Sequence, residues 1–141
     1  MEFEIDSIQD LNNLTKDLLD KWYQKFLLKW ELWVWKTEFT KQLAKNLWIP
    51  NITSPTYTYI NNYQNKLLHW DFYRIKSEQE FLTLWILDEI ENFKYICIEW
   101  PKFLDLYADN SWLEIEIKKI NQNKRKIFIK RYWEKSDFRK V

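Results

Sequence analysis

A chain of 141 residues, 46% hydrophobic and 30% charged, is long enough to bury one core without disulfides or metals and too balanced to be a disordered segment. One domain over residues 1–141 is expected. The longest apolar runs are strand-sized, so no membrane span is predicted, and Met1-Glu2-Phe3-Glu4-Ile5-Asp6 is unlike a signal peptide, which makes the cytoplasm the expected compartment. The formal net charge of +1 is unevenly spread: residues 118–141 hold ten Lys/Arg against Glu134 and Asp137, leaving the rest at −7. That basic end fits either a nucleic-acid or acidic protein partner, or a solvated strand face and frayed tail.

Glycine is absent, and tryptophan occurs ten times. Average usage predicts roughly ten glycines at this length. The two anomalies read as one if many of these tryptophans stand for UGA codons that some bacterial lineages decode as glycine.

In chain order, Asp6 or Ser7 can cap a helix whose apolar residues Ile8, Leu11, Leu14 and Leu18 recur at helical spacing. Phe26-Leu27-Leu28 is a strand-like run. Phe39, Leu43, Ala44 and Leu47 then mark a second helix, ending at Trp48 before Ile49-Pro50, where glycine is the usual residue. Thr53-Ser54-Pro55-Thr56 is turn chemistry, and Tyr57-Thr58-Tyr59-Ile60 is β-prone. Lys66 to Tyr73 reads as a strand and Glu78 to about Trp85 as a helix, with Asp88 to Asn92 extending it or starting another. Lys94 to Glu99 has the continuous apolar character of a buried central strand, and Cys97 within it is expected to be buried and inert. Leu113 to Ile117 and Lys126 to Ile129 alternate about the turn Asn121-Gln122-Asn123, an antiparallel hairpin with one exposed face. The predicted order α-β-α-β-β-α-β-β-β implies a three-layer α/β domain, mostly parallel, with a C-terminal antiparallel hairpin.

Between the first strand and second helix lies Trp30-Glu31-Leu32-Trp33-Val34-Trp35-Lys36-Thr37. With glycine at its three tryptophans, this segment matches the phosphate-binding pattern G-x-x-x-x-G-K-[ST]. In such a loop the glycines let backbone N–H groups face the phosphates, the lysine reaches β/γ oxygens and the hydroxyl binds Mg²⁺. Such an enzyme also needs a carboxylate at a strand end for the metal, and Glu99 and Asp71 are the candidates. No Cys/His cluster suggests zinc and no Ser-His-Asp spacing suggests acyl transfer.

Four ordered segments, Trp30 to Thr37, Thr53 to Thr58, His69-Trp70-Asp71-Phe72-Tyr73-Arg74 and Ile98-Glu99-Trp100-Pro101, closely resemble the TsaE (YjeE) family over roughly residues 5 to 133. These are small P-loop ATPases of tRNA threonylcarbamoyladenosine biosynthesis. The departures are Trp30, Trp33, Trp35, Trp48 and Trp85, where the family carries glycine. Trp70 and Trp100 fit the family as tryptophan, whereas Trp22, Trp112 and Trp133 are left undecided. The resemblance implies ATP and Mg²⁺ as cofactors. It places Trp30, Trp33, Val34, Trp35, Lys36, Thr37 and Glu38 around ATP, with Lys36 and Asp71 catalytic and Thr37 and Glu99 on Mg²⁺. Thr56 and Thr58 become a switch-like segment, with His69, Tyr73 and Arg74 supporting the site; His69 reads as a core or supporting residue rather than a metal ligand. The implied partners are TsaD and TsaB, whose complex ATP hydrolysis would reset between turnovers. If the tryptophans are genuine, the alternative is a non-catalytic, aromatic-rich module that binds protein or RNA.

Overall fold

A computed structural model describes residues 1–30, 38–50 and 60–133. The elements are β1 (Glu2–Ile5), α1 (Ile8–Asp20), β2 (Lys25–Trp30), α2 (Glu38–Asn46), β3 (Ile60–Tyr63), β4 (Leu67–Asp71), α3 (Glu78–Thr83), α4 (Ile86–Asn92), β5 (Tyr95–Glu99), β6 (Trp112–Lys119) and β7 (Arg125–Arg131), with a 3₁₀ turn at Leu104–Leu106. Seven strands form one sheet in the order β1-β7-β6-β2-β5-β4-β3. The four central strands, β6, β2, β5 and β4, run parallel to one another. Strands β7 and β1 on one side and β3 on the other are antiparallel. Among the described residues no helix is long and apolar enough to cross a membrane.

Strand alternation divides the core between the two sheet faces. Phe26, Leu28, Leu67, Cys97 and Ile115 pack with Leu11, Leu14 and Leu18 of α1 and with Phe39 and Leu43 of α2. Leu27, Leu68, Trp70, Ile96, Ile98 and Trp112 face Phe81, Ile86 and Ile90 of α3 and α4. The three expected layers follow from that division. A polar seam also joins α1 to α2: Asn12 Nδ2 donates to Gln42 Oε1 at 2.9 Å, and Asn46 Nδ2 to Thr15 Oγ1 at 2.9 Å. These amides satisfy one another where the helices meet, so the buried polar groups do not stand alone.

Local signals account for the element boundaries. Ser7 caps α1 by accepting from Asp10 N at 3.2 Å, and Ser77 caps α3 by accepting from Glu80 N at 3.1 Å. The α1 and α2 ends share one geometry. Tyr23 N donates to Leu18 O and Trp22 N to Leu19 O, while Ile49 N donates to Ala44 O and Trp48 N to Lys45 O. Each is a Schellman motif, with tryptophan at the left-handed C′ position.

One element was absent from the sequence expectation. The first six residues contribute β1, pairing Glu2 to Ile5 with Arg125 to Phe128; four residues with charge on alternate positions give little strand signal until that partner is known. Of the two expectations for residues 78–92, the structure has the second helix, and Trp85 separates the two by taking a left-handed conformation. Of the β-prone segment Tyr57 to Ile60, Ile60 opens β3, and Tyr57 to Tyr59 lie outside the described residues. The hairpin forms as expected, although Glu114 on its polar face is buried.

Candidate active site

The carboxyl ends of β2, β4 and β5 lie side by side, which is where open α/β sheets place their ligands. The parallel register pairs Leu28 with Glu99 and Asp71 with Glu99, so both acids occupy the last positions of adjacent strands. Backbone bonds hold the strands level at this edge: Phe72 N donates to Glu99 O at 3.0 Å and Trp100 N to Leu28 O at 3.2 Å. Alternation puts His69, Asp71, Cys97 and Glu99 toward the α1/α2 layer. The segment joining β2 to α2 leaves from the same edge.

Glu99 and His69 are completely buried. His69 Nε2 donates a short hydrogen bond to Glu99 Oε2. The other carboxylate oxygen, Oε1, and His69 Nδ1 have no hydrogen-bond partner among the described residues. A carboxylate out of water costs several kcal/mol unless its oxygens are compensated, so an open oxygen at a strand end is a strong acceptor for a cation. Asp71 is half-buried and caps the turn after β4, its Oδ1 accepting from Tyr73 N at 2.9 Å. Among the described residues no three metal-ligating side chains converge. A Mg²⁺ site with one or two protein carboxylates, completed by water and phosphate oxygens, fits this donor set.

The turn after β4 is fixed from the neighbouring strand. Lys102 Nζ donates to Tyr73 O at 3.0 Å and Ile75 O at 2.8 Å, and Tyr107 Oη holds Lys102 O at 2.9 Å. The Tyr73 ring lies 5.2 Å from that of Trp100. Lys102 was not singled out in the sequence. Its position just after Glu99-Trp100-Pro101 is the one signal that could have found it. Arg74 is exposed. Burial pushes the Cys97 thiol up, consistent with an inert core cysteine.

Of the other predicted site residues, Trp30 is the last residue of β2 and Glu38 the first of α2, where its carboxylate pairs with Lys41 at 3.6 Å. Trp33, Val34, Trp35, Lys36, Thr37, Thr56 and Thr58 lie outside the described residues. The structure therefore brings together His69, Asp71 and Glu99, with the two ends of the phosphate-loop motif flanked by β2 and α2 as that motif requires.

Fold and site thus define a three-layer α/β protein with paired acids at the carboxyl ends of its central parallel strands. Residues 5–127 match the family model described as threonylcarbamoyl adenosine biosynthesis protein TsaE, and the chain belongs to the TsaE family. It is 41% identical over 83 residues, 55% of this chain and 59% of the relative, to the tRNA threonylcarbamoyladenosine biosynthesis protein TsaE of Borreliella burgdorferi. Against the protein of the same name from Rickettsia typhi it is 32% identical over 110 residues, 74% of this chain and 76% of the relative. The crystal structure of Bacillus subtilus YdiB superposes with a TM-score of 0.66 at 25% identity, covering 90% of this chain and 82% of that one.

Proposed function

We propose that this chain is the ATPase of tRNA threonylcarbamoyladenosine modification, hydrolysing Mg-ATP to drive turnover of a TsaD/TsaB complex. The observation that carries this reading is the buried, half-compensated Glu99 at the end of β5, beside Asp71 and level with the strand that leads into the phosphate-loop motif. Family membership and the relatives' role in tRNA threonylcarbamoyladenosine biosynthesis supply the biological setting.

In this reading Glu99 and Thr37 hold Mg²⁺, which would supply charge neutralisation at the β- and γ-phosphates. The chain's own residues do the rest. Lys36 sets an ammonium against the β/γ oxygens, and backbone N–H groups of residues 33–38 cradle the phosphates. His69 occupies one Glu99 oxygen and so leaves the other for the metal. Asp71, at the end of the adjacent strand, positions the metal or attacking water. Thr56 and Thr58 sense the γ-phosphate.

The test uses the protein carrying Trp30→Gly, Trp33→Gly, Trp35→Gly and Trp48→Gly. It should bind Mg-ATP and hydrolyse it slowly alone and faster with TsaD and TsaB. Adding Lys36→Ala should abolish turnover. Hydrolysis unchanged by Lys36→Ala would sink the P-loop assignment, and no acceleration by the partner complex would remove the coupling role.

A further inference from the structure

Among the described residues eight have positive φ, and five are tryptophan: Trp22 (71°), Trp48 (64°), Trp85 (59°), Trp100 (53°) and Trp133 (72°). Left-handed backbone costs an L-residue roughly 1–2 kcal/mol, and a bulky side chain there is a genuine outlier. The remaining three have ordinary explanations. Gln64 and Asn65 make the two-residue turn between β3 and β4, closed by Lys66 N to Tyr63 O at 3.0 Å. The Phe103 ring packs 5.4 Å from Phe81.

The tryptophans separate by what their rings do. Trp22, Trp48, Trp85 and Trp133 are 81%, 87%, 73% and 56% exposed, so strained backbone carries an indole into solvent. Trp22 and Trp48 also occupy the C′ position of the two Schellman motifs, the site glycine dominates because it lacks a Cβ. Trp70 and Trp112 are buried, in strands, without positive φ. Trp112 packs against Tyr107 at 5.4 Å and lies under Lys25 Nζ at 5.6 Å. Trp100 shares the positive φ, but its ring is half-buried against Tyr73.

We infer that Trp22, Trp48, Trp85 and Trp133 stand at glycine positions of the native product, whereas Trp70, Trp100 and Trp112 are true tryptophans. Backbone conformation and ring burial sort seven residues into two classes, and chance placement of tryptophan has no reason to produce that division. The inference extends to Trp22, Trp112 and Trp133, which the sequence left open. With the three tryptophans of the phosphate-loop motif added, the chain holds seven glycines, about 5% of its length and near average usage. The four exposed rings are then no interaction surface.

The ten tryptophan codons of the gene, together with peptide mass spectrometry of the protein purified from the cells that make it, test the division. Glycine is expected at 22, 48, 85 and 133 under one shared codon, and tryptophan at 70, 100 and 112 under the other. Tryptophan in a native peptide at any of the first four positions, or glycine at any of the last three, overturns it. Equilibrium unfolding of the chain with tryptophan at all ten positions supplies a second test. Trp22→Gly and Trp48→Gly should each raise the folded-to-unfolded ratio roughly threefold, strain relief exceeding the extra chain entropy of glycine. Trp112→Gly should lower the ratio, and a lowered ratio for Trp48→Gly contradicts the inference. Neither measurement involves nucleotide, so failure here is distinct from failure of the proposed ATPase function.

Discussion

Two strands of the same sheet each bury a glutamate, and the surroundings differ in what they leave undone. On β6, Glu114 lies between Lys29, at 3.0 Å, and Lys130, at 3.5 Å, whose half-exposed ammonium groups compensate the carboxylate from both flanking strands. On β5, Glu99 is buried more deeply and has one side-chain hydrogen bond, to His69, with its other oxygen unpartnered among the described residues. Glu114 Oε2 likewise accepts no hydrogen bond among the described residues, but the Lys130 ammonium stands 3.5 Å from it, whereas no cation is described beside Glu99 Oε1. A buried acid flanked by cations is a structural ion pair, and burial alone therefore does not mark function. In the proposed reading, the missing cation beside Glu99 is the metal.

The sharpest way to break this comparison is to neutralise each acid in the glycine-bearing protein. Glu99→Gln should weaken the Mg²⁺ dependence of ATP binding by more than the roughly tenfold to hundredfold loss typical of removing a ligand's support. Calorimetric ATP titrations at several Mg²⁺ concentrations measure it, and superimposable curves for the two proteins would take Glu99 out of the site. Glu114→Gln should leave those titrations alone. It should instead cost about 1 kcal/mol in urea unfolding, because two half-exposed lysines lose their shared anion. A nucleotide effect from Glu114→Gln would show that the sheet flank is coupled to the site.

A smaller effect is expected from the histidine that separates the two cases. His69→Ala leaves Glu99 without its donor and should reduce Mg²⁺ affinity about tenfold. His69→Gln restores an N–H donor at comparable reach and should recover most of that loss. If both variants lose stability equally and neither shifts the Mg²⁺ titration, His69 is core packing only.

The smallest effect concerns Asp109, an exposed acid just ahead of β6. Hydrogen bonds from the Ser111 hydroxyl and backbone N–H hold its carboxyl below the usual range as the chain enters β6. A depressed folded-state pKa means the contribution is present above the unfolded value and disappears as pH falls through the folded one. Asp109→Asn should therefore lower stability slightly at neutral pH, with the difference between the proteins closing in acid. A constant difference across that range would show that protonation is not involved.

Much of this was legible in the residues. Helical spacing from Ile8 to Leu18 and the apolar run ending at Glu99 specified a helix and a central strand, because their burial patterns follow directly from backbone periodicity. The pairing of Asp71 with Glu99 was less so: each looks like an ordinary strand-end acid, and only sheet register makes them neighbours. Strand β1 was invisible because its four residues gain strand character from β7, more than a hundred residues away. Lys102 was missed for a related reason, since it acts on carbonyls of a different loop. The break at Trp85 was half-visible: the resemblance puts glycine there and a second helix was one of the two expectations, but the tryptophan itself gives no hint of left-handed backbone.

The position of β5 sets the order in which the molecule can become competent during synthesis. It is made after β2 and β4 yet fills the gap between them, so strands already outside the ribosome have no parallel neighbour on that side until residues 95–99 arrive. His69 likewise meets its carboxylate partner at that moment. Joining strands far apart in the chain is entropically slow, and exposed strand edges invite aggregation while it lasts. The nascent polypeptide is thus kept without its acid pair until the sheet's middle closes, well after residues 30–37 have been made.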